Sequence, residues 1–195
     1  MSIRKKILAI SIGPVLVLGV ITLLFMLTMV KSSLMDEVQD ALKGTAAATL
    51  AAYDQNTGDY LESTNGDIWK GSYNISKSES LVDRIKENTG MDVTFFYGNK
   101  RIMTSALDKK GNRILGSEAG ERVVNQVIKG KKPFFSTNVS LDGTRNYGYF
   151  IPVYQNGTTD QVIGMVFVGT NKARKDAIVN KILGSIMTVS YTHLR

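Results

Sequence analysis

The 195-residue chain is 43% hydrophobic and 21% charged, with no Cys and a single His. The lack of Cys excludes thiol nucleophiles, thiolate zinc sites and disulfide scaffolds. His193, almost at the C-terminus, is a poor basis for acid–base catalysis or metal binding. The net charge of +7 suggests nucleic acid only until it is divided along the chain. Arg4, Lys5, Lys6 and Arg195 lie at the ends, and between Lys31 and Lys181 twenty basic residues face all 17 acidic ones, a net of +3. That is too weak for a phosphate-tracking surface, so no nucleic-acid partner is expected.

From Ile7 to Val30 the chain runs 24 residues without a charge. As a helix this run is about 36 Å long, enough to cross a hydrocarbon core of about 30 Å. Gly13, Pro14 and Gly19 are tolerated in such a span. The Arg4-Lys5-Lys6 cluster places the start in the cytoplasm and the following residues outside. The run exceeds the apolar core of a signal peptide and no small-residue cleavage site closes it. An uncleaved anchor over residues 1–30 is therefore expected.

Lys31 to Glu62 reads as one long helix, in which Leu34, Val38, Ala41, Thr45, Ala48 and Ala52 recur at spacings of four and three. This seam either pairs with a second copy of the chain, giving a homodimer, or packs on its own domain. Ser63-Thr64-Asn65-Gly66 ends the helix, and Trp69–Asn74 reads as loop. Ser78 is placed to cap a helix over Glu79–Asn88, with Gly90 at its end. Strands Asp92–Tyr97 and Lys100–Ser105 follow, joined at Gly98-Asn99. After a charged turn, Ser117 is expected to cap a helix running to Lys129. Pro133–Leu141 and Thr144–Tyr154 form a hairpin turning at Asp142-Gly143, and Gln161–Gly169 is the fifth strand. The pattern predicts an α+β domain with a five-stranded antiparallel sheet and flanking helices.

Asn171 to Lys181 is polar and helical and leads into uncharged Ile182–Tyr191. Ten such residues cannot span a bilayer. Residues 182–195 are expected to be the start of a second span, cut short. The run Val189-Ser-Tyr-Thr-His-Leu-Arg195 resembles a translated sequencing adapter.

The order of basic start, apolar span, long helix, α+β domain and exit helix resembles the N-terminal half of a methyl-accepting chemotaxis protein. Three local runs resemble its single Cache, PAS-like extracellular sensor: Leu81–Gly98, Tyr147-Gly-Tyr-Phe-Ile-Pro-Val-Tyr154 and Val162-Ile-Gly-Met-Val-Phe-Val-Gly169. Phe135–Val139 does so too, and the resemblance covers residues 31–181. It implies a pocket between the sheet and the segment joining its second and third strands. In related citrate and dicarboxylate sensors, basic residues on those strands hold carboxylates. Arg101 matches the second-strand Arg, whereas Thr104 stands in the place of a His and Asn138 in that of the third-strand Arg. The resemblance therefore implies a monocarboxylate, an amino acid or a small neutral metabolite rather than citrate. Tyr97, Tyr147 and Tyr149 are further candidates, either offering hydroxyls to a ligand or simply packing a strand face.

The resulting expectation is a non-catalytic chemoreceptor fragment in the cell membrane, sensing an extracellular small molecule without a cofactor. Chemotaxis adaptor and kinase would be engaged only by residues following Arg195. The same domain could serve a histidine kinase or a cyclic-nucleotide enzyme, or a membrane-anchored adhesion module.

Overall fold

Strand alternation and two-residue turns build most of the molecule. The computed structural model describes residues 3–192, and the side chains of residues 12–188. The tail at residues 193–195, His193 included, lies outside the described residues. In chain order the elements are helix α1 (Ile3–Asp54), strands β1 (Tyr60–Glu62), β2 (Ile68–Lys70) and β3 (Tyr73–Asn74), a 3-10 turn (Ile75–Lys77) and helix α2 (Glu79–Thr89). Strands β4 (Asp92–Tyr97) and β5 (Lys100–Thr104) precede helix α3 (Glu121–Val123), which continues as a π-helical turn over Val124–Lys129. Strands β6 (Phe134–Leu141), β7 (Thr144–Tyr154) and β8 (Val162–Asn171) lead into helix α4 (Lys172–Thr192).

Two units divide the chain: Val38–Asp176, and Met1–Glu37 with Ala177–Arg195. The first unit is α+β and holds a five-stranded antiparallel, PAS-like sheet of order β5-β4-β8-β7-β6. The hairpins turn where expected, with Gly98, Asp142 and Gly143 all at positive φ.

Two expected boundaries are corrected. The long helix stops at Asp54 rather than Glu62, because Gly58 sits at φ +108° and the chain then forms the small sheet β1-β2-β3. The helix expected from Ser117 begins only at Glu121, after Gly120. Residues 116–119 instead lie along the free edge of β5: Arg101 N donates to Ser117 O at 2.9 Å and Gly116 N to Arg101 O at 2.9 Å. Unpaired edge amides find partners in this way without a sixth full strand.

Each face of the sheet buries its own side chains. On one, Leu42, Ala46, Thr49 and Tyr53 of α1 are fully buried. Tyr53 meets Phe95 edge-on at 5.2 Å, and its hydroxyl lies 2.9 Å from Ser78 Oγ. This stripe is rotated from the expected Leu34–Ala52 seam and leaves Ala48 exposed. Ser78 stands at the N-cap of α2 but uses its hydroxyl on Tyr53 and on Ile75 O, not on the helix. On the other face Phe96, Phe150, Met165 and Phe167 pack with Val127 of the π-helical turn.

Side-chain ties hold the smaller parts. Gln155, after β7, mimics a strand: its Oε1 accepts from Tyr60 N at 2.7 Å and its Nε2 donates to Tyr60 O at 3.0 Å. Arg113 clamps the loop after β5 onto α2, donating to Asp83 at 2.9 and 2.6 Å and to Thr104 O at 2.7 Å. The Arg113 guanidinium holds the Asp83 carboxyl below the usual carboxylate range. A depressed folded pKa contributes stability that is full above the unfolded value and lost as pH falls through the folded one. The melting temperature of Asp83→Asn is expected to lie below that of the parent chain at neutral pH, and to converge with it as the pH falls through the depressed carboxyl value. Asp83 is 44% exposed, so the gap is expected to be modest. A pH-independent gap would show that the clamp acts through packing alone.

The second unit contains the apolar part of α1. Val15, Leu16 and Phe25 are each 60% or more exposed. Thr22 and Thr28 return their hydroxyls to the carbonyls of Leu18 and Leu24, at 2.9 and 3.1 Å, hiding those polar groups within the helix. By length and composition α1 can cross a membrane, and among the described residues it is the one helix that can. In α4, Ser185 and Thr188 donate to the carbonyls of Lys181 and Gly184 in the same manner.

Candidate functional site

A cavity of about 400 Å³ opens on the Phe96–Phe150–Phe167 face of the sheet, beneath residues 118–123. Its floor is aromatic: Phe96 from β4, Phe167 from β8, Phe150 from β7 and Phe134 from β6. Paired residues share a face in an antiparallel ladder, and the partners Phe150↔Phe167 and Phe134↔Phe150 bring these rings into one row. Phe150 and Phe167 lie 4.7 Å apart between centroids.

Polar groups enter from the two edge strands, and each edge carries a bulge. On β5 the ladder runs Thr104↔Thr94 and Met103↔Phe95, then slips so that Arg101, not Ile102, opposes Phe96. One extra residue reverses the parity of everything beyond it. Arg101 thereby joins Phe96 on the cavity face instead of following Tyr97 to the other. On β6 the register slips between Ser136 and Val139, and Asn138 lies in that slip at the cavity wall.

Arg101 is the unusual group. It is 7% exposed, and its guanidinium lies 5.3 Å from the Phe96 ring centroid. Nη1 reaches Ile114 O only at 3.5 Å, and buried Nε has no hydrogen-bond partner among the described residues. Burial pushes the guanidinium pKa down, partly offset by the charge of Asp92. An Arg keeps its proton even so, which leaves a buried cation short of acceptors at the edge of a cavity. Arg122 of α3 also lines the cavity, 5.3 Å from the Phe134 centroid, as does Glu118.

Of the residues singled out from sequence, the structure brings Arg101 and Asn138 to this cavity. Thr104 shares its sheet face but is buried elsewhere. Its hydroxyl lies 2.6 Å from Thr94 Oγ1, donates to Val93 O at 3.1 Å and accepts from Ala106 N at 3.1 Å. Tyr97, Tyr147 and Tyr149 alternate onto the opposite face. Tyr147 stacks on Phe135 at 6.3 Å, accepts from Lys172 Nζ at 2.7 Å and donates to Asp176. Arg122, Glu118 and the phenylalanine row were not singled out. Alternation reveals the Phe row, whereas Glu118 lies in the stretch before Gly120 where a helix is expected and none forms.

A family profile described as "Single cache domain 3" matches residues 73–182, more than half of the chain. Comparison with curated proteins gives no match. Among solved structures, an extracellular ligand binding receptor from Desulfohalobium retbaense DSM5692 superposes with a TM-score of 0.54 at 14% identity, covering 79% of this chain and 26% of that one. The sensory domain of the Campylobacter jejuni chemoreceptor Tlp3 (CcmL), solved with isoleucine bound, gives 0.53 at 13% identity, covering 78% and 60%. This chain thus spans about a quarter and three fifths of their lengths. At such identities the likeness is one of fold. With a profile match over more than half its length, on the sheet and cavity described above, the chain belongs to the single Cache domain 3 family.

Proposed function

We propose that this chain is the sensory portion of a membrane receptor of the chemotaxis type. In this reading α1 anchors the chain in the membrane and Val38–Asp176 lies outside the cell. A small anionic ligand occupies the cavity beside Arg101. The observation that carries the reading is the buried Arg101, its Nε without a partner among the described residues, in the wall of a hollow of metabolite size. A carboxylate there would supply the missing acceptors through charge-assisted hydrogen bonds. The isoleucine in the Tlp3 sensory domain is in keeping with a small metabolite.

Ligand binding would shift a two-state equilibrium of the domain, with α4 carrying the change toward the membrane. The Tyr147–Lys172–Asp176 cluster supports this route, because it fastens β7 to the first turn of α4. Tyr147→Phe is expected to speed amide exchange in that turn about fivefold, the loss of about 1 kcal/mol, while leaving ligand affinity unchanged. Unchanged exchange would remove the cluster from the route. The reading also includes a homodimer through exposed small residues of α1, among them Gly44 and Ala48. Sedimentation in detergent at the mass of one chain would remove that part.

The test of the reading is a screen of small carboxylates against the full chain in lipid nanodiscs, following thermal unfolding through Trp69, the one tryptophan. A ligand of the folded state raises the melting temperature by mass action. A saturating hit that loses its effect in Arg101→Gln supports the site, and hits insensitive to Arg101 would refute it.

A further inference from the structure

We infer that the cavity selects a monocarboxylate bearing an aryl or similarly bulky apolar body, in preference to a polycarboxylate or a polyol. This rests on the reading of the cavity as a ligand site and goes on to its chemistry. Charge sets the first limit. The ionisable groups of the wall are Arg101, Arg122 and Glu118, with one positive charge in excess, which one carboxylate balances. A tricarboxylate would bring two further anionic groups with no buried donor to receive them, at a desolvation cost that nothing returns.

Shape and polarity set the second. Each arginine already lies over a phenyl ring, Arg101 over Phe96 and Arg122 over Phe134, both at 5.3 Å. The row Phe134–Phe150–Phe167 runs between them, with centroid separations of 6.4 and 4.7 Å. A carboxylate held at Arg101 therefore projects its body across a floor of rings. That floor gains by covering apolar surface and by tilted ring contacts, and it offers a sugar or polyol no hydrogen bonds. The hydroxyl and amide groups of the wall are confined to β6 at Ser136, Asn138 and Ser140, enough to orient one end of a ligand.

The experiment is calorimetric titration of the full chain in nanodiscs, with empty nanodiscs as blank, using 3-phenylpropionate, acetate, citrate and 3-phenylpropan-1-ol. Saturable binding of 3-phenylpropionate is expected, at least about tenfold tighter than the other three. It should weaken about thirtyfold or more in Arg101→Met, as for a lost charge-assisted contact. Phe134→Ala should weaken 3-phenylpropionate and leave acetate unchanged. Unfolding followed through Trp69 verifies that each variant is folded; Arg101→Gln replaces Arg101→Met, and Phe134→Leu replaces Phe134→Ala, where either is not. Citrate or acetate binding as tightly as 3-phenylpropionate, still dependent on Arg101, would overturn the aryl selectivity while leaving the site in place. Absence of any Arg101-dependent carboxylate binding would overturn the site reading and this inference together.

Discussion

Replacing Gly164 by alanine is expected to destabilise the sheet by about 3–4 kcal/mol, a large share of the roughly 5–15 kcal/mol by which a domain is ordinarily stable. Gly164 lies in β8, between Tyr97 of β4 and Val153 of β7. A Cβ added there would run into the carbonyl oxygen of Phe96. That oxygen belongs to a paired backbone, so relief requires moving a strand and breaking ladder hydrogen bonds. Gly148→Ala provides the contrast. Its Cβ would meet side chains, Phe167 at 2.5 Å and Val139 at 2.8 Å, which can rotate, so about 1–3 kcal/mol is expected. Denaturant unfolding of both variants tests the order. Gly164→Ala melting with the parent chain, or Gly148→Ala proving the worse, would contradict the packing described for β8.

Arg101→Met is expected to stabilise the empty chain while weakening its binding of a carboxylate ligand about thirtyfold or more. The buried Nε lacks an acceptor, so the guanidinium carries a desolvation cost that its ring contact with Phe96 offsets only in part. The shorter, flexible thioether leaves an apolar chain beside that ring and removes the charge. The gain is expected to be about 1–2 kcal/mol, or about 3–6 °C in melting temperature for a chain of this size. Opposite effects on stability and binding are the mark of a group kept for function. A variant that melts lower than the parent would mean that Arg101 is a structural residue already compensated within the fold.

How far the sequence revealed this molecule depends on which physical rule governs each part. Period-2 alternation and the turn pairs Gly98-Asn99 and Asp142-Gly143 define β4 to β8, because side-chain parity and turn backbone are local properties. Strands β1 to β3 escaped notice because two or three residues are too short to show a period. The end of α1 is read late because residues 55–59 contain no proline; the break is marked by Asn56, whose side chain returns to Tyr53 O at 3.0 Å, and by the positive φ of Gly58. Alternation shows that Tyr147 and Tyr149 share a face. It cannot show which face carries the cavity, nor that Arg101 points to it, because a bulge on β5 sets the direction of Arg101. Bulges have no composition of their own, so the feature that brings Arg101 to Phe96 is invisible in the string of letters. Resemblance to related sensors nonetheless led to Arg101 and Asn138, both of which the bulges bring to the cavity wall. Arg122 lies in the part of the expected helix that does form, but no local pattern marks it as facing a cavity.

The buried Arg101 side chain can be observed directly. In the full chain, with arginine side chains labelled with nitrogen-15, the Nε–H resonance missing from Arg101→Met identifies this group. Saturation with 3-phenylpropionate should shift that resonance and slow its proton exchange with water, as a carboxylate engages the guanidinium. A bound ligand that leaves the Arg101 resonance in place, while perturbing residues away from the Phe134–Phe150–Phe167 row, would show that the cavity is not the ligand site.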